Sequence, residues 1–504
     1  MKRSLALLVL ILVCSTASAF VGMQSDAPSL DSVVSPGTLV TFIFKPFVND
    51  VDEHDVTVDF TAAPATIESI ESSQFACTFS GSTAHCTRAL FPKNTVGLPI
   101  KLGVRMPPTG GRVTVAATIK AASGATYTWP PWVLVANPFY VTNNASDGAG
   151  SFRDAITRAN ANGACPDRSH PCEIDFQVSG EINLDTPLPA ITANRVAILP
   201  ENQIILDGRG LESPGLIVRC EELKLSRFKI VNWGGAGILL LGQRGTISDS
   251  EIRQNLRGVM ASGTSFFYLH DNVISDNRLS GVWMEKAYYP AVYENTIENN
   301  GASGVYYGPG TQYGAIDENT IRFNRDFGVA VSPQTKWTEI RGNSMKGNGQ
   351  LGIDFALDLV TPNVADDSTR PVPNAPTITS ATYDARLNKT VIIGHVDLRK
   401  PADVSYFNAL VDLYSSSTLD AHGMAQGEKP LTVRVDYGGV GINPNTGDFV
   451  SIFGGDLRGL YVTATYTRIY TLGKGVTATS LQPRPQYYET WQATSEMSNA
   501  VRVE

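Results

Sequence analysis

Residues 271–331 read DNVISDNRLSGVWMEKAYYPAVYENTIENNGASGVYYGPGTQYGAIDENTIRFNRDFGVAV. Working outward from this stretch, Gly-Ile or Gly-Val recurs at Gly237, Gly258, Gly281, Gly304, Gly328 and Gly352, in steps of 21, 23, 23, 24 and 24 residues. A fixed period of this size signals stacked units. From Gly258 on, each glycine follows by three or four positions an asparagine of the series Asn255, Asn277, Asn300, Asn324 and Asn348. A second series, Asn272, Asn295, Asn319 and Asn343, precedes Ile274, Ile297, Ile321 and Met345 by two positions. Each period therefore holds three short apolar runs separated by Asn, Gly and Asp, the signature of three short strands and three turns. Helical repeats are excluded, because the apolar residues alternate and do not recur every 3.6 positions. The solution is a solenoid with one period per coil and coils stacked at the strand spacing of ~4.8 Å. Asparagines repeated at one point of each coil then form amide ladders.

The runs DNVISDNRLSGVWM, ENTIENNGASGVYY and ENTIRFNRDFGVAV resemble the right-handed parallel β-helix repeats of secreted bacterial proteins in the pectin-lyase-like superfamily. The resemblance covers roughly Phe139 to Asn363 and implies an all-β, right-handed, single-stranded parallel β-helix. It does not specify a function, since that fold carries lyases, hydrolases, epimerases, adhesins and binding proteins. VTNNASDGAGSFRDAI, residues 141–156, resembles the motif that opens many such helices. Ser151 with Asp154 reads as a helix start, and Phe152, Ala155, Ile156 and Ala159 share one face. The implied task of this helix is to cover the open first coil.

Residues 1–19 read as an export signal. Lys2 and Arg3 precede the apolar run Leu5 to Val13, and Ala17-Ser18-Ala19 supplies small residues for cleavage. No other segment is long and apolar enough for a membrane-spanning helix. The expected location is secreted or extracellular, including association with the cell surface. With a net charge of −8, the chain is not a basic nucleic-acid binder. Cys77 with Cys86 and Cys165 with Cys172 can each close a short loop in an oxidising compartment, and Cys220 is left as a buried thiol. Neither pair has zinc spacing, so no metal ligand is assigned and no cofactor is expected. The acidic exit after the last coil reads as a solvated linker, with calcium as the minor alternative.

Two modules flank the helix. Residues 25–136 alternate as strands in an N-terminal β-sandwich, and the stretches around Cys77 and Cys86 are similar to Ig-like repeats of bacterial surface proteins. The helix occupies 137–363, a proline-marked linker 364–376, and a C-terminal β-sandwich 377–504. The segment from Ala493 to Ser498 resembles the ending of Ig-like modules attached to such helices.

Phasing the strand after each repeating glycine selects the candidate site. With Val259, Val282, Val305 and Val329 inward, one outward row is Leu239, Met260, Trp283, Tyr306, Ala330 and Asp354. The second outward row is Leu241, Ser262, Glu285, Gly308, Ser332 and Ala356. Tyr288, Tyr289 and Tyr313 fall in the loops that follow. In polysaccharide-active relatives this exterior forms the substrate groove, and flat amphipathic rings suit the apolar faces of sugars. Met260, Trp283, Glu285, Tyr288, Tyr289, Tyr306 and Tyr313 are therefore the carbohydrate-binding candidates. A sandwich lying over the stripe, or incidental exposure, are the alternatives. Chemistry is poorly provided for. Hydrolysis needs two carboxyls ~5–10 Å apart, whereas Glu285 and Asp354 stand three coils apart, ~14 Å. The paired Asp, Gly-His-Gly and Arg-x-Lys set of β-helix polygalacturonases is absent. Glu285, Lys286 and Tyr306 are the only candidates for a lyase reaction, and His270-Asp271 reads as loop structure. The reading is a non-catalytic protein that binds extracellular or cell-surface polysaccharide. A polysaccharide lyase or related carbohydrate-active enzyme is the first alternative, and a structural or adhesive surface protein the second.

Overall fold

The computed structural model describes residues 20–26, 33–34, 37–107, 111–136, 139–161, 172–365, 372–398, 406–432, 440–471 and 490–504. The proposed export signal, Cys165, Asp366 and Asp367 lie outside these residues. The chain divides into two compact units, 1–138 and 139–504.

In the first unit a five-stranded sheet and a six-stranded sheet share one core. Phe42 and Phe44 on strand Leu39–Asn49 meet Trp132 of the other sheet edge-on, with centroids at 6.2 and 5.2 Å. Cys77 and Cys86 face each other across two antiparallel strands and are joined by a disulfide.

The second unit is built on a parallel solenoid with sheets of eight, eight and seven strands. Its first sheet ends in Glu339–Arg341, its second in Ser344–Lys346 and its third in Ile353–Phe355. Successive strands pair one coil apart, so like residues stack: Ile252, Ile274, Ile297, Ile321 and Met345 form a fully buried column. Both asparagine ladders form. Asn277, Asn300 and Asn324 each donate Nδ2–H to the Oδ1 of the next ladder residue at 2.9, 2.9 and 3.0 Å. Asn272, Asn295 and Asn319 do the same at 3.0, 3.0 and 2.9 Å. The repeating glycines are a packing demand. A Cβ on Gly281 would lie 2.8 Å from both Asn300 Nδ2 and Ile297 Cγ2.

Both ends of the solenoid are closed, as unpaired strand edges require. Helix Phe152–Ala161 buries Phe152, Ala155, Ile156 and Ala159. Ser151 Oγ caps it by accepting from Asp154 N at 3.1 Å. Phe152 packs on Phe176 and Phe228 at 5.1 and 6.1 Å. The far end is met by a C-terminal pair of sheets, of three and five strands, with a core of its own. Each sheet of the last coil finds a partner there. Gln426 Oε1 accepts from Asn348 N at 2.9 Å, in the way each ladder oxygen accepts from the coil before it. Thr494 Oγ1 accepts from Ile340 N at 2.9 Å, and Glu496 Oε1 from Phe355 N at 2.9 Å. Arg341 forms a buried bidentate pair with Asp412 at 2.6 and 2.9 Å.

Candidate functional site

The third sheet places its outward residues in the phased register: Leu239, Met260, Trp283, Tyr306, Ala330 and Asp354 are successive partners. Val259, Met284, Tyr307 and Val331 point inward and are buried. Met260, Trp283, Glu285 and Tyr306 are partly exposed. Ala330 and Ser332 are buried, and Asp354 is 0% exposed. The open part of the face is therefore shorter than its strand register.

Four side chains converge there. The Trp283 indole has Arg257 over it, with the guanidinium carbon 4.6 Å from the ring centroid. It also lies against Tyr306, with centroids 4.1 Å apart and planes 41° apart. Its N–H donates to Glu285 Oε1 at 2.9 Å. Trp283 is thus a held element of the cluster, with its ring contacts and its donor already engaged. Burial pushes the Tyr306 hydroxyl above its ordinary value and the Glu285 carboxylate adds to the shift, so it is a neutral phenol near pH 7. Burial lowers the Arg257 guanidinium, and Glu285 works in the opposite sense. Arg257 Nε is buried and without a hydrogen-bond acceptor among the described residues. Gly308 makes room for the cluster, since a Cβ there would sit 2.8 Å from the Tyr306 ring.

Next along the coil is a corner whose residues take the left-handed conformation: Phe266, Tyr289, Tyr313 and Trp337, with φ of 58°, 52°, 56° and 60°. This conformation costs ~1–2 kcal/mol for an L-residue. Stacking offsets it, with Phe266 on Tyr289 at 5.3 Å and 5°, and Tyr289 on Tyr313 at 4.9 Å and 17°. Tyr288 is 43% exposed and stands perpendicular to the stack, 4.6 Å from Tyr289 and 5.1 Å from Tyr313. Rings this close and perpendicular meet face to edge. Tyr288 is thus the exposed ring at the edge of the stack. Lys286 is exposed, and its stem lies 3.2 Å from where a Gly310 Cβ would be.

Sequence phasing did not select Arg257, Phe266 or Trp337. The aromatic corner carries a signal, one ring per period at steps of 23, 24 and 24 residues. Arg257 carries none, because the preceding coil has Ala236 in its place. His270 pairs with its neighbour Asp271 at 2.8 Å on the exterior of the first sheet. Cys220 is a buried free thiol pushed up to about 12 by burial, so it is no nucleophile. Asp354, Asp358 and Glu496 bring one oxygen each to within 4.8 Å of one another. These oxygens already accept hydrogen bonds from Leu357, Leu359, Phe355 and Thr361. The group is a joint between the last coil and the C-terminal sheets, and no metal is assigned to it. Among the described residues no helix is long and apolar enough to cross a membrane.

A sequence search of curated proteins finds no relative. Solved structures resemble the chain only distantly, three among them as follows. One is the catalytic domain of a GH87 alpha-1,3-glucanase variant in complex with tetrasaccharides, 11% identical over 69% of this chain and 73% of that one, with a TM-score of 0.33. Another is the catalytic unit of a thermostable GH87 alpha-1,3-glucanase from Streptomyces thermodiastaticus, 14% identical over 67% and 68%, with a TM-score of 0.32. A DUF4466 family protein from Parabacteroides merdae is 12% identical over 23% of this chain and 44% of that one, with a TM-score of 0.18. Likenesses this remote say nothing of what this chain acts on. The family model described as "Right handed beta helix region" matches residues 214–358, which end just past the last coil, and this stretch is a right-handed parallel β-helix.

Proposed function

We propose that the third face of the β-helix and its aromatic corner bind an extracellular polysaccharide without cleaving it. The observation that carries the reading is the cluster of Arg257, Trp283, Glu285 and Tyr306, which spans successive coils and stays partly exposed. A carboxylate, a guanidinium and a phenol suit the hydroxyls and ring oxygens of a sugar. The exposed ring of Tyr288 suits its apolar side. Export, which the first 19 residues support, would bring the protein to such a ligand.

Binding is favoured over hydrolysis because only one carboxyl, Glu285, belongs to the open part of the strand register. Asp354 is buried and accepts from Leu357 N at 2.9 Å and Leu359 N at 3.0 Å. A pair of carboxyls flanking one bond is therefore not assembled on these strands. The second reading, a polysaccharide lyase, draws on Glu285, Lys286 and the neutral Tyr306 hydroxyl on the same face, with the Arg257 guanidinium to meet a uronate carboxylate.

The test is affinity electrophoresis of the purified protein through a panel of uronate-rich and neutral polysaccharides, with ultraviolet absorbance followed for unsaturated product. Tyr306→Ala and Tyr288→Ala are each expected to weaken retardation by one polysaccharide roughly 3- to 10-fold, the worth of one ring contact, while circular dichroism stays unchanged. Unaltered retardation in both variants would remove binding from this face. Product released by the wild type and lost in Tyr306→Phe would make the protein a lyase.

A further inference from the structure

Asp354, Asp358 and Glu496 come from three different pieces of chain. Asp354 lies on the last coil, Asp358 on the segment leaving it, and Glu496 just after strand Thr490–Thr494 of the C-terminal sheets. Asp354 and Glu496 are buried, Asp358 is exposed, and an oxygen of each lies within 4.8 Å of the others. Glu496 makes the clasp. Its Oε1 accepts from Phe355 N at 2.9 Å and from Thr361 Oγ1 at 2.7 Å, and its Oε2 accepts from Thr361 N at 2.9 Å. One carboxyl thus ties the last strand of the helix and its exit segment to the C-terminal sheets.

We infer that this joint is a proton-dependent clasp, tight in mild acid and loosened as the solution turns alkaline. Two buried carboxyls sharing so small a space cannot both carry charge without cost. The titratable group acting on Glu496 is Asp354, and that acting on Asp354 is Asp358. The strand beside it, Tyr461–Thr471, carries the titratable Tyr466 and the charged Arg468. Burial, joined by the Asp354 charge, pushes Glu496 up to about 7. Burial, joined by Asp358, pushes Asp354 up to about 6. A carboxyl raised on folding stabilises while it is protonated, and that contribution is lost as pH rises through its folded value. The contribution is thus whole below the ordinary carboxyl range, about pH 4, declines above it, and is fully lost by about pH 7.

Hydrogen–deuterium exchange on the full chain tests this. Protection of the segment containing Phe355 and Thr361 is compared at about pH 5.5 and about pH 8, after correction for intrinsic exchange. A carboxyl raised from 4.5 to about 7 predicts a loss of protection of roughly 10- to 100-fold at the higher pH. Glu496→Gln, which mimics the protonated group, should hold the acid-like protection at both values. Asp354→Asn should flatten the dependence in part, and it serves if the first variant does not fold. Wild-type protection that is flat or rises with pH, or variants that lose protection as the wild type does, would overturn the clasp.

Discussion

Asn300 meets several hydrogen-bond needs with one short side chain. Its Oδ1 accepts from Asn277 N and Nδ2, its Nδ2 donates to Ile274 O, and its own N–H reaches Asn324 Oδ1. At 1% exposure no water replaces these partners. Asn300→Ala leaves buried donors and acceptors unmet and is expected to cost about 2–4 kcal/mol, read as a lower urea midpoint. An unchanged midpoint would show that the ladder carries no net stability. Residues of this kind are legible in the sequence because the period repeats them. Trp283, Glu285 and Tyr306 could be placed by strand alternation. Their mutual engagement could not, since it rests on Arg257, which the repeat does not announce. That Asp354 is covered was equally hidden, because alternation assigns a face and says nothing about what later chain lies over it.

At the scale of elements, the C-terminal sheets finish the last coil. Arg341 and Asp412 are 71 residues apart, both nearly inaccessible, and joined by two hydrogen bonds. Removing one member leaves a buried charge alone, so Arg341→Ala should destabilise this unit by about 3–5 kcal/mol in chemical denaturation. A cost below about 1 kcal/mol would mean that water reaches the joint and screens the pair. The fold of each coil was readable from spacing alone. The closure was not, because Gln426 and Glu496 lie 78 and 141 residues beyond the Asn348 and Phe355 amides they receive. A single glutamine placed to continue an asparagine ladder has no periodic signal of its own.

For the whole molecule, two compact units predict two unfolding transitions. The Cys77–Cys86 bridge belongs to the first, and its loop of 9 residues is worth ~2–3 kcal/mol in the chain-entropy model. Replacing both residues, Cys77→Ser with Cys86→Ser, should lower one calorimetric transition and leave the other in place. Movement of both transitions would show that the units unfold together. The parallel architecture was decided by one repeating stretch, whereas a binding function has no comparable period and had to be argued from the geometry of a few side chains.

The glutamine that completes the ladder has an evolutionary consequence. Every internal coil offers its successor the same arrangement of amide and glycine that it received, so the glutamine meets a coil type, while the pair with Asp412 asks for Arg341 of the last coil alone. The length of the β-helix can therefore vary by duplication or loss of single internal periods while the last coil and both closures keep their sequences. A longer or shorter recognition surface would be reached by changing copy number, without a new fold to invent.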